Sequence, residues 1–185
     1  MIQEFVQRSI TIYHNDSAIK TLDRGDYCDQ IREIIESSSV QGLPILIIMY
    51  GMPGSGKTHL SHMLSEKILH CLIWEKDFVY SIGLNHDINK IKPQYDDGMI
   101  NRFCLYVADF FLKTMRCNII IPANCVEQLK ILKKYEEGYN KFVIAFNRIG
   151  IEDSVAHNIH GLSKEQIMAE YGKWKTYEEL LMTGE

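Results

Sequence analysis

The chain has 185 residues, of which 46% are hydrophobic, and this combination fits one compact domain with a substantial core. Its formal net charge of −4 and its pI near 6.0 exclude a general attraction to nucleic acid or anionic membranes, so a polynucleotide would have to be held by a local patch. The sequence contains neither a membrane-spanning run nor a secretory signal, and its five scattered cysteines favour reduced thiols. We therefore expect a soluble, cytoplasmic protein without a membrane partner.

Residues 1–43 carry two stretches in which apolar side chains recur at helical spacing. The first covers residues 2–13, the second covers residues 27–35, and a polar break follows at residues 37–42. This pattern predicts an N-terminal helical extension packed on a main domain that covers residues 44–185. An amphipathic face can equally meet another chain, so an arm for a partner or for a homo-oligomer is the alternative.

The next segment, residues 45–70, organises the rest of the chain. Residues 45–49 (ILIIM) form a short apolar run between a proline and a glycine, which predicts a buried strand of a parallel sheet. Residues 51–58 (GMPGSGKT) then fit the phosphate-loop pattern G-x-x-x-x-G-K-[ST]. An amphipathic helix follows, with one apolar face formed by Leu60, Met63, Leu64 and Ile68.

This order of elements predicts a site for a nucleoside triphosphate. Glycines let backbone amides turn inward around a polyphosphate, which a Cβ at Gly54 or Gly56 would obstruct. The new helix directs its positive end at the same anion, the Lys57 ammonium meets the terminal phosphates, and the Thr58 hydroxyl can bind Mg²⁺. We expect ATP or GTP with Mg²⁺, held by Gly51, Pro53, Gly54, Ser55, Gly56, Lys57, Thr58 and His59.

Downstream of this loop, strands and helices continue to alternate with short links. Apolar runs predict strands at residues 71–74, 118–122 and 141–146. Helical spacing predicts helices at residues 99–115, with a core stripe that includes Phe103 and Phe110, and at residues 125–137. Ser163 and Gln166 form a capping box for a last helix that reaches residue 174. The alternation predicts an α/β fold, a parallel sheet with helices on both faces.

Two polar positions are candidates for chemistry outside the phosphate loop. Asp77 follows the strand at residues 71–74, and ligands of open α/β sheets gather at the carboxyl ends of strands. A helix cap is the alternative role for Asp77. The polar segment 148–162 lies between the last strand and the capped helix, where a mobile lid over phosphates is expected.

Taken together, these motifs resemble the P-loop polynucleotide 5′-hydroxyl kinase family over about residues 45–175. Residues 50–58 (YGMPGSGKT) resemble the family's Pro-Gly-Ser-Gly-Lys core, and Asp77 stands where members carry an acidic pair that activates the acceptor hydroxyl. Residues 157–162 (HNIHGL) resemble its Arg-Asn-x-His-Gly-Val lid. The resemblance implies a P-loop kinase fold and phosphoryl transfer from a nucleoside triphosphate to the 5′-hydroxyl of RNA or DNA.

The chain also departs from the family pattern. Residues 122–125 (PANC) replace Asp-x-Thr-Asn after the third predicted strand, Tyr80 stands where an arginine is frequent, and His157 replaces the lid arginine. These changes weaken acceptor recognition more than nucleotide binding. A kinase for a small metabolite and a catalytically degenerate nucleotide-binding adaptor are therefore alternatives to a polynucleotide kinase.

For a working kinase, we expect three residues to have a catalytic role. Lys57 holds the donor, Asp77 accepts the proton of the acceptor hydroxyl, and Arg148 closes over the transferring group. His157 is a weaker candidate for that last role, because an imidazole is only partly charged at neutral pH. Further contacts with substrate or with the lid backbone are expected from Asn124, His157, Asn158 and His160.

Overall fold

The structure is a computed structural model that describes residues 9–23, 27–75, 97–123, 138–147, 149–157 and 162–183. The strands are β1 (Ile10–His14), β2 (Ser17–Leu22), β3 (Ile45–Tyr50), β4 (Cys71–Ile73), β5 (Asn118–Ala123) and β6 (Asn140–Phe146). The helices are α1 (Tyr27–Ser38), α2 (Lys57–Lys67), α3 (Asp97–Lys113), α4 (Ile151–Ala156), α5 (Lys164–Lys173) and α6 (Tyr177–Thr183).

The six strands form one mostly parallel sheet in the order β2-β1-β6-β3-β5-β4. Strands β6, β3, β5 and β4 are parallel neighbours, whereas β1 is antiparallel to both β6 and β2. All seven residues of β6 are buried, and β3 is buried from its second residue to its end. Continuous burial is typical of parallel strands that are covered on both faces.

Alternate residues of β3 face two separate hydrophobic clusters, one on each side of the sheet. Ile47 and Met49 pack in a cluster with the buried side chains of α1 and α2. Leu46, Ile48 and Tyr50 pack in the other cluster, with α3 and α6. The predicted α/β fold, with helices on both faces of the sheet, is therefore confirmed.

The helix predicted over residues 2–13 is wrong in the part that the structure describes. Ile10–His14 is strand β1, which pairs with β6 along all five residues and buries Ile10 and Ile12 completely. Asn15 and Asp16, with φ values of 47° and 63°, form the two-residue turn into β2. This conformation gives the tight turn whose twist matches a β-hairpin. Pairing with β6 thus overrides the helical spacing, and residues 1–8 lie outside the described part.

The second predicted helix of the N-terminal segment is confirmed as α1, which buries Cys28, Ile31 and Ile35. The hydrogen-bonded hairpin joins residues 10–22 to the same sheet as the phosphate-loop strand. The division of the chain at residue 43 stays a prediction.

The stripe predicted for the helix at residues 99–115 is displaced in α3. Phe103 and Phe110 are about half exposed, and among the side chains of α3 that the structure describes, those of Leu105, Ala108 and Leu112 are buried. The helix carries apolar residues on two sides, so spacing alone does not identify the side that meets the sheet. The predicted helix at residues 125–137 lies outside the described residues. None of the helices that the structure describes is long and apolar enough to cross a bilayer.

Candidate functional site

The segment between β3 and α2, residues 51–56, is called the glycine loop below. It leaves the carboxyl end of a central strand that lies between β6 and β5. Gly54 and Gly56 have φ values of 72° and 95°, in the left-handed region that favours glycine. Helix α2 then begins at Lys57, and no side chain caps its N-terminus. The positive end of α2 therefore points into the loop.

The Lys57 side chain lies inside the glycine loop. Its Nζ donates to the carbonyl oxygens of Gly51 at 2.8 Å and Met52 at 2.7 Å, and it lies 3.5 Å from Ser55 Oγ. The residue is only 5% exposed. A buried ammonium has to be compensated by such oxygen partners, and its fixed charge lies where a polyphosphate would need one.

Two glycines of the loop are required by close packing, and one of them, Gly54, also by its backbone conformation. A Cβ at Gly51 would lie 2.8 Å from Phe146 Cβ and 2.9 Å from Ser55 Oγ. A Cβ at Gly54 would lie 2.6 Å from the carbonyl oxygen of Ser154 in α4. A side chain at Gly54 would therefore collide with α4, and the predicted obstruction of a polyphosphate at this position stays a prediction.

The predicted lid contains α4, and this short helix packs directly on the glycine loop. Ser154 is completely buried, and its Oγ donates to the Pro53 carbonyl oxygen at 2.6 Å. Just after α4, the His157 backbone N–H donates to Asp153 O at 3.1 Å, and the ring Nδ1 lies 2.8 Å from the same oxygen. The His157 ring thus contacts the backbone of its own helix.

Sequence reasoning missed the contact between Ser154 and Pro53. The two residues lie 101 positions apart, and a serine within a polar segment carries no local pattern that identifies its partner. The residues that carry the family resemblance, 157–162, begin after Ser154 and do not include it.

The remaining predicted site residues divide between described and undescribed parts of the chain. Thr58 is half-buried and His59 is exposed, both in the first turn of α2. The Thr58 hydroxyl is an oxygen ligand of the kind that Mg²⁺ prefers, so the residues next to the loop fit a magnesium-bound phosphate. The residues outside the described ranges are Asp77, Asn124, Arg148, Asn158 and His160.

The carboxyl end of β5 lies beside the end of β3, where the family pattern has an aspartate. Pro122 pairs with Met49 and Ala123 with Tyr50, so the last two positions of β5 carry no ionisable group. Within the described residues, no group of three histidine, cysteine, aspartate or glutamate side chains is arranged to hold a metal ion.

Comparison with known proteins gives a likeness in fold. No family model matches the chain, and no curated protein matches it. A chain in the structure of the Pnkp1/Rnl/Hen1 RNA repair complex matches 76% of this protein with a TM-score of 0.54 and 16% identity. A chain in a second structure of the Pnkp1/Rnl/Hen1 complex matches 65% with a TM-score of 0.51 and 18% identity.

These matches cover only 49% and 41% of the two similar chains. At such low identity, the likeness shows a shared fold and does not show a shared activity. The shared fold is the α/β arrangement described above, a mostly parallel sheet with helices on both faces.

Proposed function

We propose that this protein binds a nucleoside triphosphate, ATP or GTP, at the glycine loop and transfers its terminal phosphoryl group to a hydroxyl. The 5′-hydroxyl of RNA or DNA is the acceptor we favour. The observation that carries the proposal is the Lys57 ammonium, buried within a glycine loop between a central parallel strand and a helix N-terminus. The fold shared with a chain of an RNA repair complex supports a nucleic-acid acceptor.

The described residues support the donor side of the proposed reaction. The Gly51 and Met52 carbonyls face the Lys57 ammonium, which fixes the loop around a positive charge that attracts the terminal phosphates. Mg²⁺ bound with the nucleotide would neutralise phosphate charge, and Thr58 would supply an oxygen ligand. Phosphoryl transfer depends chiefly on such positioning and charge neutralisation.

The acceptor side depends on residues that the sequence alone assigns. The acceptor oxygen forms a bond to the terminal phosphorus, the bond from that phosphorus to the leaving diphosphate oxygen breaks, and the hydroxyl proton passes to Asp77. Arg148 is proposed to stabilise the charge on the transferring group, with His157 as the weaker candidate. Asn124, Asn158 and His160 remain proposed contacts to the acceptor or to the lid backbone.

One experiment tests both sides. The protein is incubated with γ-labelled ATP, Mg²⁺ and a panel of 5′-hydroxyl oligonucleotides and small hydroxyl metabolites, and MgATP binding is measured by calorimetry. We expect label on the oligonucleotides, loss of both binding and transfer in Lys57→Ala, and loss of transfer with retained binding in Asp77→Asn. Lys173→Ala, an exposed change in the last turn of α5, is the control and should leave both readouts unchanged.

Other outcomes of this experiment are equally informative. Label on metabolites alone would replace the polynucleotide acceptor by a small molecule. The absence of any MgATP or MgGTP affinity in the unmodified protein would overturn the proposed function.

The second candidate function is a nucleotide-binding adaptor without catalysis. The observation that favours it is the end of β5, where Pro122 and Ala123 stand at the positions expected to hold an aspartate. Tight nucleotide binding with no label on any acceptor would support this candidate.

A further inference from the structure

The orientation of the carbonyl groups decides whether the glycine loop can bind an anion. A loop presents its N–H groups to a phosphate only if its carbonyl oxygens are held elsewhere, because the two dipoles have opposite effects on the anion. Lys57 holds the first two carbonyls, those of Gly51 and Met52. The third carbonyl, that of Pro53, accepts its hydrogen bond from Ser154 in α4.

The hydrogen bond to Pro53 also determines the direction of the following amide. In a trans peptide unit the C=O and N–H bonds are coplanar and point in opposite directions, and no described peptide bond is cis. When Ser154 Oγ draws the Pro53 carbonyl toward α4, the Gly54 N–H must point away from α4. The positive φ of Gly54 then continues the turn toward the N-terminus of α2.

Close packing leaves this arrangement little freedom. A Cβ placed on Gly54 would lie 2.6 Å from Ser154 O, 3.2 Å from Ser154 Cα and 3.3 Å from the His157 carbonyl carbon, so no side chain fits there. Ser154 is fully buried, and its donor–acceptor distance of 2.6 Å lies within the normal range for hydroxyl donors. Helix α4 therefore contacts the loop through its backbone and through one buried hydroxyl.

We propose that Ser154 is a positioning residue of the phosphate site, which holds the Pro53–Gly54 peptide so that the Gly54 N–H is presented to the nucleotide phosphates. The expected effect on nucleotide affinity rests on the proposed function, whereas the hydrogen bond by which Ser154 holds the Pro53 carbonyl needs no ligand. Helix α4 then both covers the loop and, through Ser154, fixes the orientation of the Pro53–Gly54 peptide. A movement of α4 away from the loop would release the Pro53 carbonyl and weaken the phosphate site.

The test compares four variants with the unmodified protein. Ser154→Ala removes the hydroxyl with the least change in shape. Ser154→Thr and Ser154→Val introduce side chains of nearly the same size, and valine has a methyl group in place of the threonine hydroxyl. Comparing these two variants therefore isolates the hydrogen bond even if the larger side chain disturbs packing. Ser61→Ala is the matched control, since Ser61 is equally buried beside the loop but its Oγ donates to the Lys57 carbonyl within α2.

Two readouts are taken below the unfolding temperature of every variant. In the nucleotide-free protein, the Pro53 carbonyl ¹³C resonance should shift in the alanine and valine variants and stay near its original position in the threonine and Ser61→Ala variants. MgATP affinity measured by calorimetry should fall about five- to tenfold in the alanine variant and by a similar factor between threonine and valine, as expected for one hydrogen bond. Ser61→Ala should bind as the unmodified protein does.

The two readouts separate this proposal from the proposed function. An unmodified protein that binds no triphosphate would refute the function, yet the carbonyl resonance would still decide whether Ser154 holds the peptide. Equal Pro53 resonances in the threonine and valine variants would overturn the proposal whatever the nucleotide result. If the Pro53 resonances differ between the threonine and valine variants while their MgATP affinities are equal, Ser154 has no role in phosphate binding.

Discussion

His14 is a residue whose environment disfavours charge. Its ring stacks on Phe142 with centroids 4.5 Å apart and an interplanar angle of 10°, and Nε2 is buried without a hydrogen-bond partner. Burial lowers the pKa of the His14 imidazole below its usual value of about 6.5. The folded state therefore holds His14 neutral at pH values where the unfolded chain has begun to bind a proton.

The stability of the protein should therefore fall as the pH drops below about 6.5, because the unfolded state then binds more protons than the folded state. His14→Phe keeps an aromatic ring on Phe142 and removes the titration, so it should reduce this acid loss. Urea unfolding at pH 7.5 and at pH 5.5 measures the difference. An unchanged acid loss in His14→Phe would show that His14 does not cause the pH dependence.

At the level of elements, local sequence patterns predicted those elements whose signals are themselves local. The strand at residues 45–49 corresponds to β3, and the predicted apolar face is buried at Leu60 and Leu64 in α2 and at Ile68, the residue after the helix. The capping box at Ser163 is present, with both hydrogen bonds to Gln166 formed. Each of these features depends on residues within a few positions of one another.

The features that local patterns missed depend on distant partners. Strand β1 is fixed by its pairing with β6, from Ile10 with Phe146 to His14 with Phe142. The alternation of Ile10 and Ile12 before the Asn15–Asp16 turn is the signal that predicts a hairpin there, but it competes with helical spacing over residues 2–13. The contact of α4 with the glycine loop has no such signal, and Asp77 and Arg148 stay predictions from sequence.

A single side chain joins the connection before β3 to the start of β6. Asn140 Oδ1 accepts from the Val40 N–H at 2.8 Å, and Nδ2 donates to the Val40 and Leu43 carbonyls at 3.1 and 3.3 Å. The residue is 3% exposed, so these backbone groups have little access to water. Asparagine matches this turn because its amide both donates and accepts.

Asn140→Ala should destabilise the protein by about 2–3 kcal/mol, because buried donors and acceptors lose their partners. Chemical denaturation measures the loss. Asn147→Ala, an exposed change at the other end of β6, serves as the control and should cost less than about 0.5 kcal/mol. A cost for Asn140→Ala as small as that of the control would show that water replaces the amide in this connection.

Across the whole molecule, an ionic contact joins the N-terminal hairpin to the start of β6. His14 pairs with Phe142 near the start of β6, whereas the loop follows Tyr50 at the opposite end of the sheet. At the start of β6, Asp16 Oδ1 lies 3.2 Å from Lys141 Nζ and accepts a hydrogen bond from Tyr177 Oη at 2.6 Å. The N-terminal hairpin, the last strand and α6 therefore meet at one ionic cluster.

This separation predicts that the ionic cluster controls stability without controlling the site. Asp16→Asn keeps a residue that tolerates the left-handed φ and can still accept from Tyr177, so it removes chiefly the charge that faces Lys141. Lys141 is 4% exposed and Asp16 is 32% exposed, so loss of the Asp16 charge weakens the compensation of a buried ammonium, whereas the lost carboxylate was itself partly screened by water. We expect a loss of roughly 1–3 kcal/mol in the free energy of unfolding.

The matched variant is Lys141→Met, which removes the buried ammonium together with its need for a partner. In Asp16→Asn/Lys141→Met the loss should be smaller than the sum of the two single losses, because the second change removes the ammonium whose interaction with residue 16 the first change has weakened. MgATP affinity, measured below the unfolding temperature, should stay at the original value in all three variants. Additive losses would show that Asp16 and Lys141 act independently, and a changed affinity would show that the two ends of the sheet are coupled.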